Sequence, residues 1–189
     1  MLESPLAAIA EYERANLIPE GSINRAVAAA GDGSAWARHE RGELDFAAFC
    51  EEWEAELAEV DLVVDAAELM ARIELTIRAR PEMLDIIRSL RRAGIKVAAL
   101  TNSWPSLGDN GVEAEFDLVV HSWRERLRKP EPEIYRLTLS RLGIEAKQAV
   151  FLDDIGGNLR VARQMGLTTI KVDDPADAIG NLLEIFPDL

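Results

Sequence analysis

Two adjacent carboxylates, Asp153-Asp154, close a short apolar run, Gln148-Ala149-Val150-Phe151-Leu152, and are followed by Ile155-Gly156-Gly157-Asn158. Beyond the glycines, Leu159, Val161, Ala162 and Met165 recur at helical period, so the stretch reads as strand, acidic loop, helix. Neighbouring aspartates repel each other, and keeping both ionised at a strand end calls for a cation or a basic group close by. Carboxylate oxygens are the donors Mg²⁺ prefers, and Mg²⁺ commonly takes one or two of them and leaves positions for water or phosphate. Taken alone, the pair is equally well read as one helix cap and one solvated aspartate.

Two further groups stand at the ends of apolar runs. Thr101-Asn102-Ser103 offers a hydroxyl and an amide that can bond phosphate oxygens, although the same residues make ordinary turns. Arg128-Lys129-Pro130-Glu131-Pro132 holds a lysine beside two prolines, the second of which suits the first turn of a helix. A lysine so held can neutralise both a phosphate and a neighbouring carboxylate; standing alone it would be a solvated charge. Asp173-Asp174-Pro175 reads as a helix cap.

The elements that must position these groups alternate. From Pro81 onward, helical faces stop at glycines (Ala93-Gly94, Leu142-Gly143, Met165-Gly166), and apolar runs follow. The strands expected are 95–100, 116–120, 148–152 and 168–172. Apolar strands fed by helices indicate a parallel sheet covered on both faces, with chemistry at the carboxyl ends of its strands. Residues before this are helical in pattern, over Pro5 to Asn16, Glu20 to Ala30, Leu44 to Leu57 and Leu62 to Ile77, and read as a small bundle of four short helices. The division expected is a helical unit over 1–78 and an α/β unit over 79–189.

At 189 residues, 48% of them apolar and 29% charged, the chain can bury a core and suits one domain, or one with an insert. A net charge of -13 argues against nucleic acid or an anionic membrane as partner, and any phosphate site must concentrate positive charge locally. The single Cys50 excludes an internal disulfide and, in a helical pattern with Phe46, Phe49 and Trp53, reads as a core thiol. No basic end precedes an apolar run, and none approaches membrane-spanning length, so a soluble cytoplasmic protein is expected. His39 is expected at the surface and His121 near Lys129. Trp36, Trp53, Trp104 and Trp123 read as packing, with Trp104 the best exception because it follows Thr101-Asn102.

Thr-Asn, Lys-Pro and Asp-Asp at successive strand ends resemble motifs two, three and four of the haloacid dehalogenase-like hydrolases. Leu100-Thr101-Asn102-Ser103-Trp104, Arg128 to Tyr135 and Phe151 to Leu159 are similar to the branch containing the N-terminal phosphatase domain of soluble epoxide hydrolase. The resemblance covers most of Pro81 to Val172, and the preceding helices match the position of the family's cap. It implies an α/β fold, a Rossmann-like parallel sheet with flanking helices and a small helical cap. It also implies a Mg²⁺-dependent phosphatase acting on a small phosphorylated metabolite. In such enzymes an Asp attacks phosphorus to give an aspartyl-phosphate, a second Asp two residues later serves as acid and base, and water completes the reaction. Carried over by position, Thr101 and Asn102 hold phosphoryl oxygens and Lys129 offsets their charge. Asp154 ligates Mg²⁺, with Asp153 supporting it or a bound water, and Asn158 lies beside the metal and phosphate. A homodimer is one assembly left open.

The family's first motif, an Asp-x-Asp-like or Asp-x-Gly-like strand end, is expected before the cap. Here the sequence opens Met1-Leu2-Glu3-Ser4-Pro5, and Met1-Leu2 is expected to fall within or just past that loop, which would make the chain truncated and inactive. Asp61 and Asp65, in the segment returning from the cap, are not substitutes. The absent strand would be the central one, between those ending at Leu100 and Leu152, leaving two inner edges whose buried amides each cost roughly 1 to 3 kcal/mol unpaired. Two other readings stand beside this one. The first is a non-catalytic phosphate-binding or partner-binding module, its gap closed by direct pairing of the inner strands or by another subunit. The second is a two-component receiver domain, which the order of the motifs disfavours.

Overall fold

The computed structural model describes residues 5–76, 78–105, 111–187 and 189. Five helices come first: α1 Leu6–Ala15, α2 Ser22–Ala29, α3 Ala35–Glu40, α4 Phe46–Ala58 and α5 Ala66–Thr76. The four stretches of helical pattern missed α3, which is too short to show a period; Ser34 starts it by accepting a hydrogen bond from the Ala37 N–H at 3.2 Å. The stretch expected from Leu62 becomes helical only at Ala66, because the Asp65 carboxylate caps the Glu68 N–H at 2.8 Å; Ile77 lies outside the described residues.

These helices enclose an aromatic core. Phe49 and Trp53 stack at 5.3 Å, Trp36 packs against both, and Trp104 enters from the α/β unit. His39, expected at the surface, is instead 3% exposed, its ring stacked 4.1 Å from Phe49. A polar residue following Arg38 in sequence gives no sign of that burial. Cys50 is half-buried against the same core, and burial pushes its thiol up from the ordinary value.

The remaining elements alternate: α6 Pro81–Arg92, β1 Ala98–Thr101, β2 Leu118–His121, α7 Ser122–Glu125, α8 Pro132–Leu142, β3 Val150–Asp153, α9 Gly156–Gln164, β4 Thr168–Lys171 and α10 Pro175–Ile185. Asp174 caps α10 as expected, accepting from the Ala176 N–H at 2.8 Å. The first three strands begin two or three residues later than their apolar runs. At β1 the reason is visible, because the Val97 N–H is taken by the Asp117 carboxylate at 2.8 Å before the ladder begins.

The strands pair in parallel, β1 with β2 (Ala98 opposite Leu118) and β3 with β4 (Val150 opposite Thr168), but in two separate two-stranded sheets. Direct pairing of the inner strands β1 and β3, one way of closing the expected gap, does not occur. The two sheets nonetheless share their apolar layers. On one face α6 and α10 bring Ile86, Leu90, Ala178 and Leu182 against Val97, Val150, Leu152 and Ile170. On the other, α8 and α9 bring Ile134, Tyr135 and Ala162 against Leu100, Val120 and Phe151. The Val97 carbonyl accepts from Asp117 of the β2 side, and the Ala149 and Asp153 carbonyls accept from Thr168 and Val172 of the β4 side. Since successive residues of a strand point their backbone groups to opposite edges, Ala98 and Leu100 on β1, and Val150 and Leu152 on β3, aim theirs into the slot between the sheets.

The two units also meet at Gly42, which has φ +66° and whose missing Cβ would lie 2.6 Å from the Trp123 carbonyl oxygen. Only glycine fits there.

Two outcomes follow from this packing. In hydrogen–deuterium exchange followed by NMR, the amides of Leu100 and Leu152 will exchange faster than those of Ala99 and Phe151, which face their ladders. Burial lowers the His39 pKa from its ordinary 6.5, so the folded state binds its proton less readily than the unfolded chain. The stability this contributes is complete above the unfolded value and declines as pH falls below it. Urea unfolding between about pH 7 and 5 will show that decline, and His39→Phe will lack it.

Candidate phosphate and metal site

Asp153 ends β3 with its side chain 4% exposed, and every lone-pair direction is occupied. Oδ1 accepts from the Ile155 N–H at 2.8 Å and from Asn158 Nδ2 at 3.0 Å; Oδ2 accepts from Asn158 Nδ2 at 3.1 Å and Lys129 Nζ at 2.7 Å. Gly156 and Gly157 open α9 so that Asn158, in its first turn, lies directly behind the carboxylate. The Tyr135 hydroxyl of α8 fixes Asn158 in turn by donating to its carbonyl at 3.0 Å. Burial, and then the Asp153 charge, push the Tyr135 phenol well above its usual range, so it stays a donor.

Lys129 is held as firmly by its backbone as by its ammonium. Asn102 Oδ1 accepts the Lys129 N–H at 2.8 Å and Asn102 Nδ2 donates to the Lys129 carbonyl at 3.0 Å, while the Lys129–Pro130 peptide is cis. The lysine expected to be fixed beside two prolines is therefore fixed chiefly by an asparagine 27 residues earlier. Asn102 also donates to Glu40 at 3.1 Å, so its amide is spent on holding the loop. Thr101 differs: among the described residues its hydroxyl makes only a long bond, 3.3 Å, to the Asn102 carbonyl, and can turn to a better acceptor.

Asp154 is exposed and, among the described residues, makes no hydrogen bond or ion pair. No three His, Cys, Asp or Glu residues among those described gather as a metal cage. Mg²⁺ does not need one, since one carboxylate with waters and phosphate oxygens suffices, and an unpaired Asp154 is a fitting donor. Asn102, Lys129, Asp153 and Asn158 thus form one bonded cluster after β1 and β3, with Thr101 and Asp154 next to it in the chain.

His121, placed near Lys129 by sequence, is turned elsewhere. Its Nδ1 lies 3.1 Å from Ser103 Oγ and its Nε2 2.8 Å from Glu113 Oε1, which props the loop after β1. Ser122 completes the prop, with the Ser103 N–H donating to its Oγ at 2.9 Å. Nothing in the residue pattern points to Glu40, which reaches the site from α3, 62 residues before Asn102.

A family model described as haloacid dehalogenase-like hydrolase matches residues 3–166. Acyl-CoA dehydrogenase family member 10 of Mus musculus is 34% identical over 96% of this chain and 18% of its own length. Bifunctional epoxide hydrolase 2 of Sus scrofa is 30% identical over 93% of this chain and 35% of its own. The chain therefore spans between about a fifth and a third of these relatives. Among solved structures, a HAD family enzyme of Bacteroides thetaiotaomicron in complex with magnesium and inorganic phosphate superposes with a TM-score of 0.60. It covers 92% of this chain and 87% of that one, at 20% identity.

Removing Lys129 leaves the Asp153 carboxylate buried with amide donors but no counter-charge. Lys129→Ala will lower the free energy of urea unfolding by about 3 kcal/mol or more, and adding Asp153→Asn to it will recover part of the loss.

Proposed function

The chain belongs to the haloacid dehalogenase-like hydrolase family, and we propose that the site around Asp153 serves a Mg²⁺-dependent phosphatase acting on a small phosphorylated metabolite. The observation that carries this reading is the pairing of Lys129 Nζ with Asp153 at 2.7 Å beside an unpaired, exposed Asp154. A clamped cation and an open carboxylate at one strand end are what a dianionic phosphoryl group and its metal require. Phosphoryl transfer is mostly positioning and charge neutralisation, so such an arrangement does most of the work.

In this reading the Thr101 hydroxyl donates to a phosphoryl oxygen, and Lys129 offsets the charge of that group. Asp153 and Asn158 hold Lys129 in place rather than touching substrate, and Asn102 does so from the backbone side. Asp154 is the residue to hold Mg²⁺, with Asp153 behind it. When bound, the metal would draw negative charge from the phosphoryl oxygens.

The attacking carboxylate belongs, in this proposal, to an extended segment seated in the slot between β1 and β3. There the backbone groups of Ala98, Leu100, Val150 and Leu152 can pair with a parallel strand on both of its edges, and the strand's end would meet Thr101, Lys129 and Asp153. The carboxylate attacks phosphorus, the bond to the leaving oxygen breaks, and that oxygen takes a proton from a second Asp. Water, giving its proton to the same group, then releases phosphate from the aspartyl-phosphate. In this reading the described residues supply the phosphate and metal donors, and the attacking carboxylate comes from the strand in the slot. A non-catalytic phosphate-binding module is the second reading, in which Thr101 and Lys129 hold phosphate and no carboxylate attacks it.

Hydrolysis of p-nitrophenyl phosphate with Mg²⁺ tests the proposal. The 189-residue chain is expected to give background rates. The same chain preceded by an apolar strand of about six residues ending in Asp-x-Asp will turn over, and Asp154→Asn will lower that rate about 100-fold or more. Phosphate binding by calorimetry without turnover in the extended chain would leave the binding-module reading standing, and absence of both would end each.

A further inference from the structure

The Glu40 carboxylate, at the end of α3, reaches across from the helical unit and is only 7% exposed. Its Oε1 accepts from Trp36 Nε1 at 3.1 Å; its Oε2 accepts from Arg128 Nε at 2.7 Å and Asn102 Nδ2 at 3.1 Å. A carboxylate can only accept, so the Asn102 amide must present its NH₂ group to Glu40. Its oxygen is thereby turned to the Lys129 N–H at 2.8 Å, and its second N–H to the Lys129 carbonyl at 3.0 Å. Flipping that amide would set oxygen against oxygen at Glu40 and NH₂ against N–H at Lys129. Gripped at both backbone groups, Lys129 leaves the loop in one direction, and its Nζ arrives on Asp153. Glu40 also pairs with Arg128, so its loss is expected to cost stability as well as placement, and the two effects are read separately below.

We propose that Glu40 is a positioning residue that couples docking of the helical unit to the placement of Lys129, and so to anion binding at the site. This rests on the reading of that site as a phosphate site. When the helical unit is docked, Glu40 fixes the Asn102 amide and Lys129 is held; when it lifts, the amide is released and Lys129 loosens. By linkage, phosphate bound at Lys129 must favour the docked arrangement to the same degree.

Calorimetric titration of inorganic phosphate with Mg²⁺ into the chain, into Glu40→Gln and into Glu40→Asp tests this, with urea unfolding to identify folded variants. By charge alone, neutralising a carboxylate beside an anion site strengthens phosphate binding. Positioning requires the opposite sign, a weakening of about fivefold or more in Glu40→Gln. Glu40→Asp keeps the charge but withdraws it by one methylene, and the same weakening is expected; it is also the variant to read if Glu40→Gln does not fold. Unchanged or tighter binding in either folded variant overturns the proposal. NMR of the ligand-free protein separates this from the phosphate reading: the Asn102 side-chain protons should exchange slowly in the unaltered chain and faster in both variants. Unchanged exchange overturns the role of Glu40, whereas unaltered chain that takes up no phosphate overturns the site reading instead.

Discussion

Burying an ionised carboxylate costs several kcal/mol unless a cation and hydrogen-bond donors surround it, and at Asp153 three residues from three segments do so. Lys129 comes from the loop before α8, Ile155 from the turn after β3, and Asn158 from the first turn of α9. Each has to be placed within a few tenths of an ångström, so the loop, the turn and the helix are fixed together. The outer supports follow from this, with Tyr135 behind Asn158 and Asn102 behind Lys129. A charged group that is costly to bury is thereby the point at which the α/β unit acquires a defined geometry.

Among its described residues the same unit carries two ladders rather than one continuous sheet. Its helical layers span both sheets, so the apolar core is continuous, but the hydrogen-bond ladder is interrupted between β1 and β3. Side-chain packing tolerates the interruption because it is non-directional and only roughly follows buried area. Backbone pairing does not, since each N–H and C=O needs a partner in one direction. The strands beside the gap are accordingly only partly covered, with burial intermediate along all of β1 and most of β3. The site lies where the gap opens, at the carboxyl ends of both strands.

Much of this was readable from residue order. Thr101-Asn102, Lys129-Pro130 and Asp153-Asp154 follow strand ends in the sequence, and the structure brings them into one cluster. The glycines ending the helices also stand where the pattern put them, with positive φ at Gly94, Gly143 and Gly166. What the pattern could not supply were interactions between distant segments. The strand starts slipped because apolar runs extend past the ladder, as Ile95 to Val97 do beside Asp117. Six residues are too few to show a helical period, so α3 went unseen, and with it both the burial of His39 and the arrival of Glu40 at Asn102. Asn102 itself looked like a ligand donor because its type allows that; only its partners reveal a clamp.

At Gly42 the helical unit touches the α/β unit backbone to backbone, with no room for even a methyl group before the Trp123 carbonyl. Arg41, the preceding residue, is tied to Glu131 at 3.1 Å and to Glu43 at 2.6 Å. Neither surface can slide there without collision, so the seam keeps Glu40, two residues away, in register with Asn102.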